Sequence, residues 1–202
     1  MQLISLPVSP FAARVRIAIY AKKLDIGLVP PPAGWPTVWD TRLGLIGRVP
    51  VLIGDDGIIP ESQVILEYLE ERYPDCTLLP ASPKGRADAR LLARIVDLYL
   101  MPPIVAVTEG DLAYLQNIAD VLSVLNASIG ENRFAAGDEL SLADCALAPA
   151  LFAARITGSR QGVDVLAGNE NLQRYCASAQ QHEAMGRVLK EMEDGLKQIE
   201  TR

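Results

Sequence analysis

The stretch RVPVLIGDDGIIPESQVILEYLEERYP, residues 48–74, carries two short apolar runs, a turn and an amphipathic segment in that order. Val49 to Ile53 and Ile58-Ile59 flank Gly54-Asp55-Asp56-Gly57, a composition that favours a tight hairpin. From Glu61 to Tyr73 the apolar residues recur at helical spacing, with Ile65, Tyr68, Leu69 and Arg72 on one side, and Pro74 stops the helix. This is a ββα unit.

Upstream, Gln2 to Leu6 is short and apolar and reads as a strand. Ser9-Pro10 opens a helical pattern with Phe11, Val15, Ala18 and Ile19 on one face and Arg14, Arg16, Lys22 and Lys23 largely on the others. Gly27 ends that pattern, and the run to Val29 predicts a second strand. Pro30 to Gly47 holds four prolines and two tryptophans and predicts no regular element. A βαβ unit followed by ββα implies a mixed sheet with helices packed on it.

Downstream, residues 74–85 carry three prolines and a glycine, the composition of a linker. Strand signals are missing after Arg86. Leu91, Leu92, Ile95, Val96, Leu98 and Tyr99 follow one another at helical spacing, and further helical segments run to the end. The expected fold class is therefore α/β plus all-α. An α/β domain over residues 1–77 and a linker over 78–85 precede a helical domain over 86–202.

Composition narrows the chemistry. With 50% hydrophobic and 22% charged residues, the 202-residue chain is that of a folded globular protein. Its three cysteines, Cys76, Cys145 and Cys176, form no CxxC pair, and His182 stands alone. A disulfide framework, a metal centre and a Ser–His–Asp hydrolase are all poorly supplied. His182 itself reads as a solvated helix residue, and the cysteines as inert. Nineteen Lys+Arg against 25 Asp+Glu give a net charge of −6, which argues against nucleic acid. No stretch approaches the roughly 20 uninterrupted apolar residues of a membrane span. The N-terminal residues lack a basic leader segment, so a cytoplasmic location is expected.

Four motifs carry the functional reading. Ser9-Pro10-Phe11 places a hydroxyl at the N-cap of a helix with proline at its first position, where the dipole favours an anion. Capping occupies a lone pair of the oxygen and leaves its proton free to donate. Arg48-Val49-Pro50-Val51-Leu52 sets a proline at a strand start, as a cis-proline facing a peptide-like ligand would. In Pro60-Glu61-Ser62, a hydroxyl with nearby N–H groups suits a carboxylate and the Glu61 side chain an ammonium, together an amino-acid zwitterion. Ser141-Leu142-Ala143-Asp144 is a structural capping box, with Leu140 and Cys145 spaced as its hydrophobic staple. Pro149 should kink or shorten the helix that follows.

In this order, SPFAARVRIAI, GRVPVL, PES…ILEYLE and LSLADCALAPAL resemble a cytosolic glutathione transferase. The resemblance implies a thioredoxin-like N-terminal domain, a helical C-terminal domain, a homodimer, and glutathione as co-substrate without a metal. Ser9 matches the catalytic position, as in serine-type, tau-like members. Members built for thiol–disulfide exchange have cysteine there. Val49 and Pro50 match the pair that binds the cysteinyl backbone, and Glu61 and Ser62 the γ-glutamyl site. Residues 33–48 depart from the usual pattern, leaving Arg48 first and Arg42 second as partners for the glycine carboxylate.

The expected electrophile pocket lies between the domains, lined by Val8, Phe11, Tyr99, Pro102, Pro103 and Tyr114, with Trp35 and Trp39 as further candidates. The leading expectation is attack of a glutathione thiolate on a small hydrophobic electrophile. Glutathione-dependent isomerisation or dehalogenation is a second. A non-catalytic binding or regulatory module is a third.

Overall fold

The computed structural model of the protein describes residues 1–33 and 47–201. Strands β1 (Gln2–Ile4), β2 (Gly27–Val29), β3 (Val51–Gly54) and β4 (Gly57–Pro60) form one sheet in the order β2-β1-β3-β4. β1 runs parallel to β2 and antiparallel to β3, and β3 is antiparallel to β4. Gly54 pairs with Gly57 across the two-residue turn at Asp55-Asp56, and Gly57 there takes φ +114°, which glycine adopts without strain. Helices α1 (Pro10–Ala21) and α2 (Ser62–Arg72) complete a thioredoxin-like unit. Six more follow: α3 (Pro83–Ile95), α4 (Met101–Thr108), α5 (Leu115–Ile129), α6 (Leu142–Arg160), α7 (Glu170–Gln181) and α8 (Glu183–Glu200).

The expected amphipathicity of α1 is overturned. Every residue from Ala12 to Ile19 is buried, including Arg14 and Arg16, and Lys22 just beyond the helix is buried as well. α2 packs against one flank while α6 and α8 of the helical half pack against others, so no face is left for water. Each buried cation is matched with an anion. Arg14 pairs with Asp97 at 2.7 Å, Arg16 with Glu191 at 2.9 Å, and Lys22 with Glu70 at 2.8 Å.

α2 also turns differently from its sequence pattern. Ile65, Leu66, Leu69 and Glu70 are buried, whereas Tyr68 is half-buried and Arg72 exposed. Glu70 faces inward because Lys22 and the chain leaving α2 need it. Its carboxylate accepts from the Leu78 N–H at 2.9 Å and the Thr77 hydroxyl at 2.8 Å. The Lys22 ammonium donates to the carbonyls of Tyr73 at 2.9 Å and Cys76 at 2.6 Å. The Leu78 carbonyl in turn accepts from the Leu142 N–H at 2.9 Å, so this connection is held by both halves.

α3 and α4 join through a π-helical stretch, Val96–Leu100, into one run over Pro83–Thr108. By length and composition that run could cross a membrane, which the residue-by-residue reading did not anticipate. Here it is a core helix: Leu92, Val96, Leu100, Ile104 and Val107 are buried, and it packs on α6. Leu91, Leu98 and Tyr99, which share the apolar spacing, are exposed. Pro149 does not shorten α6, which runs on to Arg160.

At the start of α6 the Asp144 carboxylate is buried and satisfied by four donors. They are the N–H groups of Ala135 and Ser141 at 2.8 Å each, the Ser141 hydroxyl at 2.9 Å and the Tyr175 hydroxyl at 3.1 Å. Burial raises its pKa while these donors pull the other way.

His182 is not a solvated helix residue. It is the N-cap of α8, half-buried, with Nδ1 accepting from the Met185 N–H at a long 3.5 Å and its ring edge-on to Phe134. Burial lowers its pKa, against Asp144 and Glu183, which raise it, and with Arg133, which lowers it further.

Lys22→Met should lower unfolding free energy by about 3–5 kcal/mol in denaturant titration, because it strands a buried carboxylate. Replacing both partners by Lys22→Met/Glu70→Leu should not restore wild-type stability, because the Tyr73 and Cys76 carbonyls and the Leu78 N–H lose their partners as well. The lowered pKa of His182 means that its share of stability is complete above the unfolded value of about 6.5 and lost as pH falls through the folded one. Thermal midpoints should therefore decline from pH 7 toward pH 5. His182→Asn, which keeps a capping side chain, should flatten that part of the profile.

Candidate functional site

The register of the sheet assembles the site. Val29, Ile4, Val51 and Pro60 lie in one row across the four strands. The chain leaves β1 and β4 at that end and enters β3 there. Three segments far apart in sequence, 5–9, 48–50 and 61–62, thus meet at one end of the sheet.

In the first segment Ser9 donates its backbone N–H to the Leu6 carbonyl at 3.1 Å, closing a tight turn. With φ −74° and ψ 119° it is the N-cap of α1, and Pro10 takes the first helical position. Its Oγ accepts from the Ala12 N–H at 3.3 Å. Among the described residues nothing accepts the hydroxyl proton, so it remains available at the positive end of a 12-residue helix.

In the second segment the Val49–Pro50 bond is cis. Pro50 is buried, Val49 half-buried and Arg48 exposed. In the third segment Glu61 takes φ 69° and ψ 114°, a conformation rarely adopted outside glycine. Such local strain concentrates at ligand-holding positions. Ser62 opens α2 and is buried, while the exposed Glu61 carries the N-cap position. Arg42, Trp35 and Trp39 lie outside the described residues.

Beside Ser9 opens a cavity of about 390 Å³ between the two halves. Val8, Pro10 and Phe11 form its N-terminal wall. Met101 and Ile104 of α4, Phe152 and Ile156 of α6, and Met192 and Leu196 of α8 supply much of the remaining apolar lining. Val8 and Phe11 belong to the set expected from sequence. Tyr99, Pro102, Pro103 and Tyr114 are not among its lining residues; Tyr99, Pro102 and Tyr114 are exposed, and Pro103 is buried.

The residues from α6 and α8 went unforeseen because apolar spacing cannot tell a cavity wall from a core. Arg14 adds a charge beneath the site, its guanidinium 5.1 Å from the Phe11 ring centroid and paired with Asp97. Among the described residues no group of three or more His, Cys, Asp or Glu is placed to hold a metal.

The thiols of the chain are poorly suited to the chemistry themselves. Burial pushes Cys145 well above the usual thiol range and Cys176 up to about 11. Only Cys76 is exposed.

Known proteins resemble this chain in sequence and fold. Residues 3–83 match the glutathione S-transferase N-terminal domain family, and residues 106–178 the glutathione S-transferase C-terminal domain family. Glutathione S-transferase 1 of Dianthus caryophyllus is 32% identical over 189 residues, covering 78% of either chain. A stringent starvation protein A homolog of Coxiella burnetii is 29% identical over 156 residues, 75% of either chain. Among solved structures, a glutathione S-transferase of Methylobacterium radiotolerans in complex with glutathione sulfonate superposes with a TM-score of 0.79 at 25% identity, covering 93% of both chains. The chain belongs to the glutathione S-transferase family.

Burial separates the three thiols in a directly measurable way. In native protein at neutral pH, iodoacetamide should modify Cys76 first, with Cys145 and Cys176 reacting at comparable rates only after unfolding. Mass spectrometry of tryptic peptides reads the order.

Proposed function

We propose that the protein is a glutathione transferase that uses Ser9 to hold the glutathione sulfur as thiolate for attack on a small hydrophobic electrophile. The observation that carries this reading is the Ser9 hydroxyl itself. It is capped onto α1 through its oxygen, its proton is unspent among the described residues, and the cavity walls on either side of it are Val8 and Pro10.

The energetics suffice. A free thiol of pKa about 8.5 is a few per cent ionised at neutral pH. Lowering it by about two units requires roughly 2.7 kcal/mol of preferential stabilisation. A hydrogen bond to a charged partner contributes about 1.5–3 kcal/mol, and a partly buried helix N-terminus up to about 2 kcal/mol. Neither a general base nor a metal is required. The thiol proton leaves to solvent, the Ser9 hydroxyl donates to the sulfur, and a sulfur lone pair forms the new bond to the electrophilic carbon. With an aryl or alkyl halide the carbon–halogen bond breaks and halide departs with its electron pair. With an activated double bond the π pair moves to the adjacent atom, which takes a proton from solvent. Ser9 is a donor and not a nucleophile.

In this proposal Val49 and Pro50 face the peptide backbone of glutathione, and Glu61 and Ser62 hold its γ-glutamyl zwitterion. Arg48, with Arg42 as the other candidate, serves the glycine carboxylate. The electrophile occupies the apolar cavity. Family membership supports a cytoplasmic homodimer as the working form, organised as residues 1–77 and 86–202 around the 78–85 connection.

The likeness to a stringent starvation protein A homolog favours one other reading, a binding module without turnover. Ser9→Ala separates the cases. Conjugation of a chromogenic aryl halide should fall about tenfold to a hundredfold, while glutathione affinity stays within several-fold. Ultraviolet titration of bound glutathione should show a thiol pKa near 6.5 in the wild type and a return toward 8.5 in the variant. Unchanged turnover in Ser9→Ala would defeat the assignment. Glutathione binding by the wild type with no turnover on any electrophile class would favour the module.

A further inference from the structure

The turn that carries Ser9 is gripped from the far end of the chain. Gly195, buried on α8, lies so close that a Cβ built on it would stand 2.7 Å from the Pro7 Cβ and 3.2 Å from the Val8 Cγ1. The Pro7 atom belongs to a ring and cannot swing aside as a flexible side chain would. The Pro7 carbonyl also accepts from Arg16, at 2.6 Å. The other arm of that guanidinium donates to Glu191, again on α8, at 2.9 Å.

Glu191 is itself braced. Its carboxylate accepts from the Tyr20 hydroxyl at 2.8 Å and from Arg187 at 3.2 Å, and Arg187 lies 3.7 Å over the Tyr20 ring. The fork geometry of arginine lets one buried side chain bind a turn carbonyl and a carboxylate of another helix together. Among the described residues, the polar contacts of the 6–9 backbone and of the Ser9 hydroxyl oxygen are internal to the turn, made by α1, or routed through Arg16 to α8.

We infer that α8 is the positioning element of the active-site turn, with Gly195 and the Glu191–Arg16–Pro7 relay setting where the Ser9 hydroxyl stands. The inference rests on the reading of Ser9 as thiolate donor, since a donor acts only if it is held within hydrogen-bond range of the sulfur. Gly195, Arg16 and Glu191 touch neither glutathione nor electrophile in this scheme. They act through the backbone of residues 7–9. A displacement of about an ångström at a reacting group is enough to cost as much as a hundredfold in rate.

Gly195→Ala tests this by forcing α8 and Pro7 apart. Arg16→Lys is a second variant that spares the packing, because a single ammonium cannot reproduce the fork. Two measurements are made on both. Amide hydrogen exchange at Ser9, Ala12 and Ala13, without glutathione, reports the turn directly. Ultraviolet titration of bound glutathione, with kcat and KM, reports the consequence.

The expected result is faster exchange confined to these amides and a bound thiol pKa raised toward 8.5. The kcat should fall about tenfold or more with KM for glutathione within about threefold. Wild-type exchange and wild-type thiol pKa in both variants would overturn the inference and leave the Ser9 reading intact. A wild-type protein that fails to lower the thiol pKa would defeat the Ser9 reading, and the exchange data alone would then decide whether α8 positions the turn.

Discussion

Burial of α1 on every side is the constraint from which the rest of the molecule follows. Its N-terminus opens on the cavity lined by Val8, Pro10 and Phe11, while its flanks vanish between the sheet unit and the helical half. Three cations on or beside the helix enter the interior with it. An unpaired charge there would cost several kcal/mol. The chain answers each with an anion from another element: Asp97 at the α3–α4 junction, Glu191 on α8 and Glu70 on α2. These pairs cannot form in either half alone for Arg14 and Arg16. The two halves are thus obliged to meet in one arrangement, and that arrangement creates the cavity beside Ser9.

Division of labour within the site follows the same geometry. Backbone conformation supplies most of what the proposed thiol half needs: a helix N-terminus at Ser9, a cis bond before Pro50 and the unusual backbone at Glu61. Side chains supply the cavity proposed for the electrophile, and they come mainly from the helical half. Substitution in α4, α6 or α8 can therefore reshape the cavity without disturbing the end of the sheet where residues 5–9, 48–50 and 61–62 meet. The net charge of −6 does not conflict with an anionic co-substrate, because the helix ends at Ser9 and Ser62 act locally where the protein average does not.

Much of this was legible in the residues. The hairpin at Gly54–Gly57, the helix starting at Pro10, the order βαβ then ββα and the all-helical remainder all appear where their local signals placed them. Such features depend on turn chemistry, capping and periodicity within a few residues. Expectations that failed have a common cause. The spacing groups Tyr68 and Arg72 with Ile65 and Leu69 on one side of α2, whereas Leu66 and Glu70 are the residues buried beside that pair. It also predicts a solvated His182 where the structure has a half-buried cap. Each depended on what another element covers, a quantity that hydrophobic spacing does not encode.

Family, strand and helix order, and the standing of Ser9, Pro50, Glu61 and Ser62 as motif residues can be read along the chain, because they rest on short-range pattern and spacing. Packing alone fixes which residues wall the cavity, that three basic residues of the α1 region are interior, and that α8 abuts the turn bearing Ser9. Those outcomes come from pairs such as Arg16 and Glu191, or Pro7 and Gly195, which lie more than 170 positions apart. Their contact is a property of how helices stack, and a residue's own neighbours along the chain carry no trace of it.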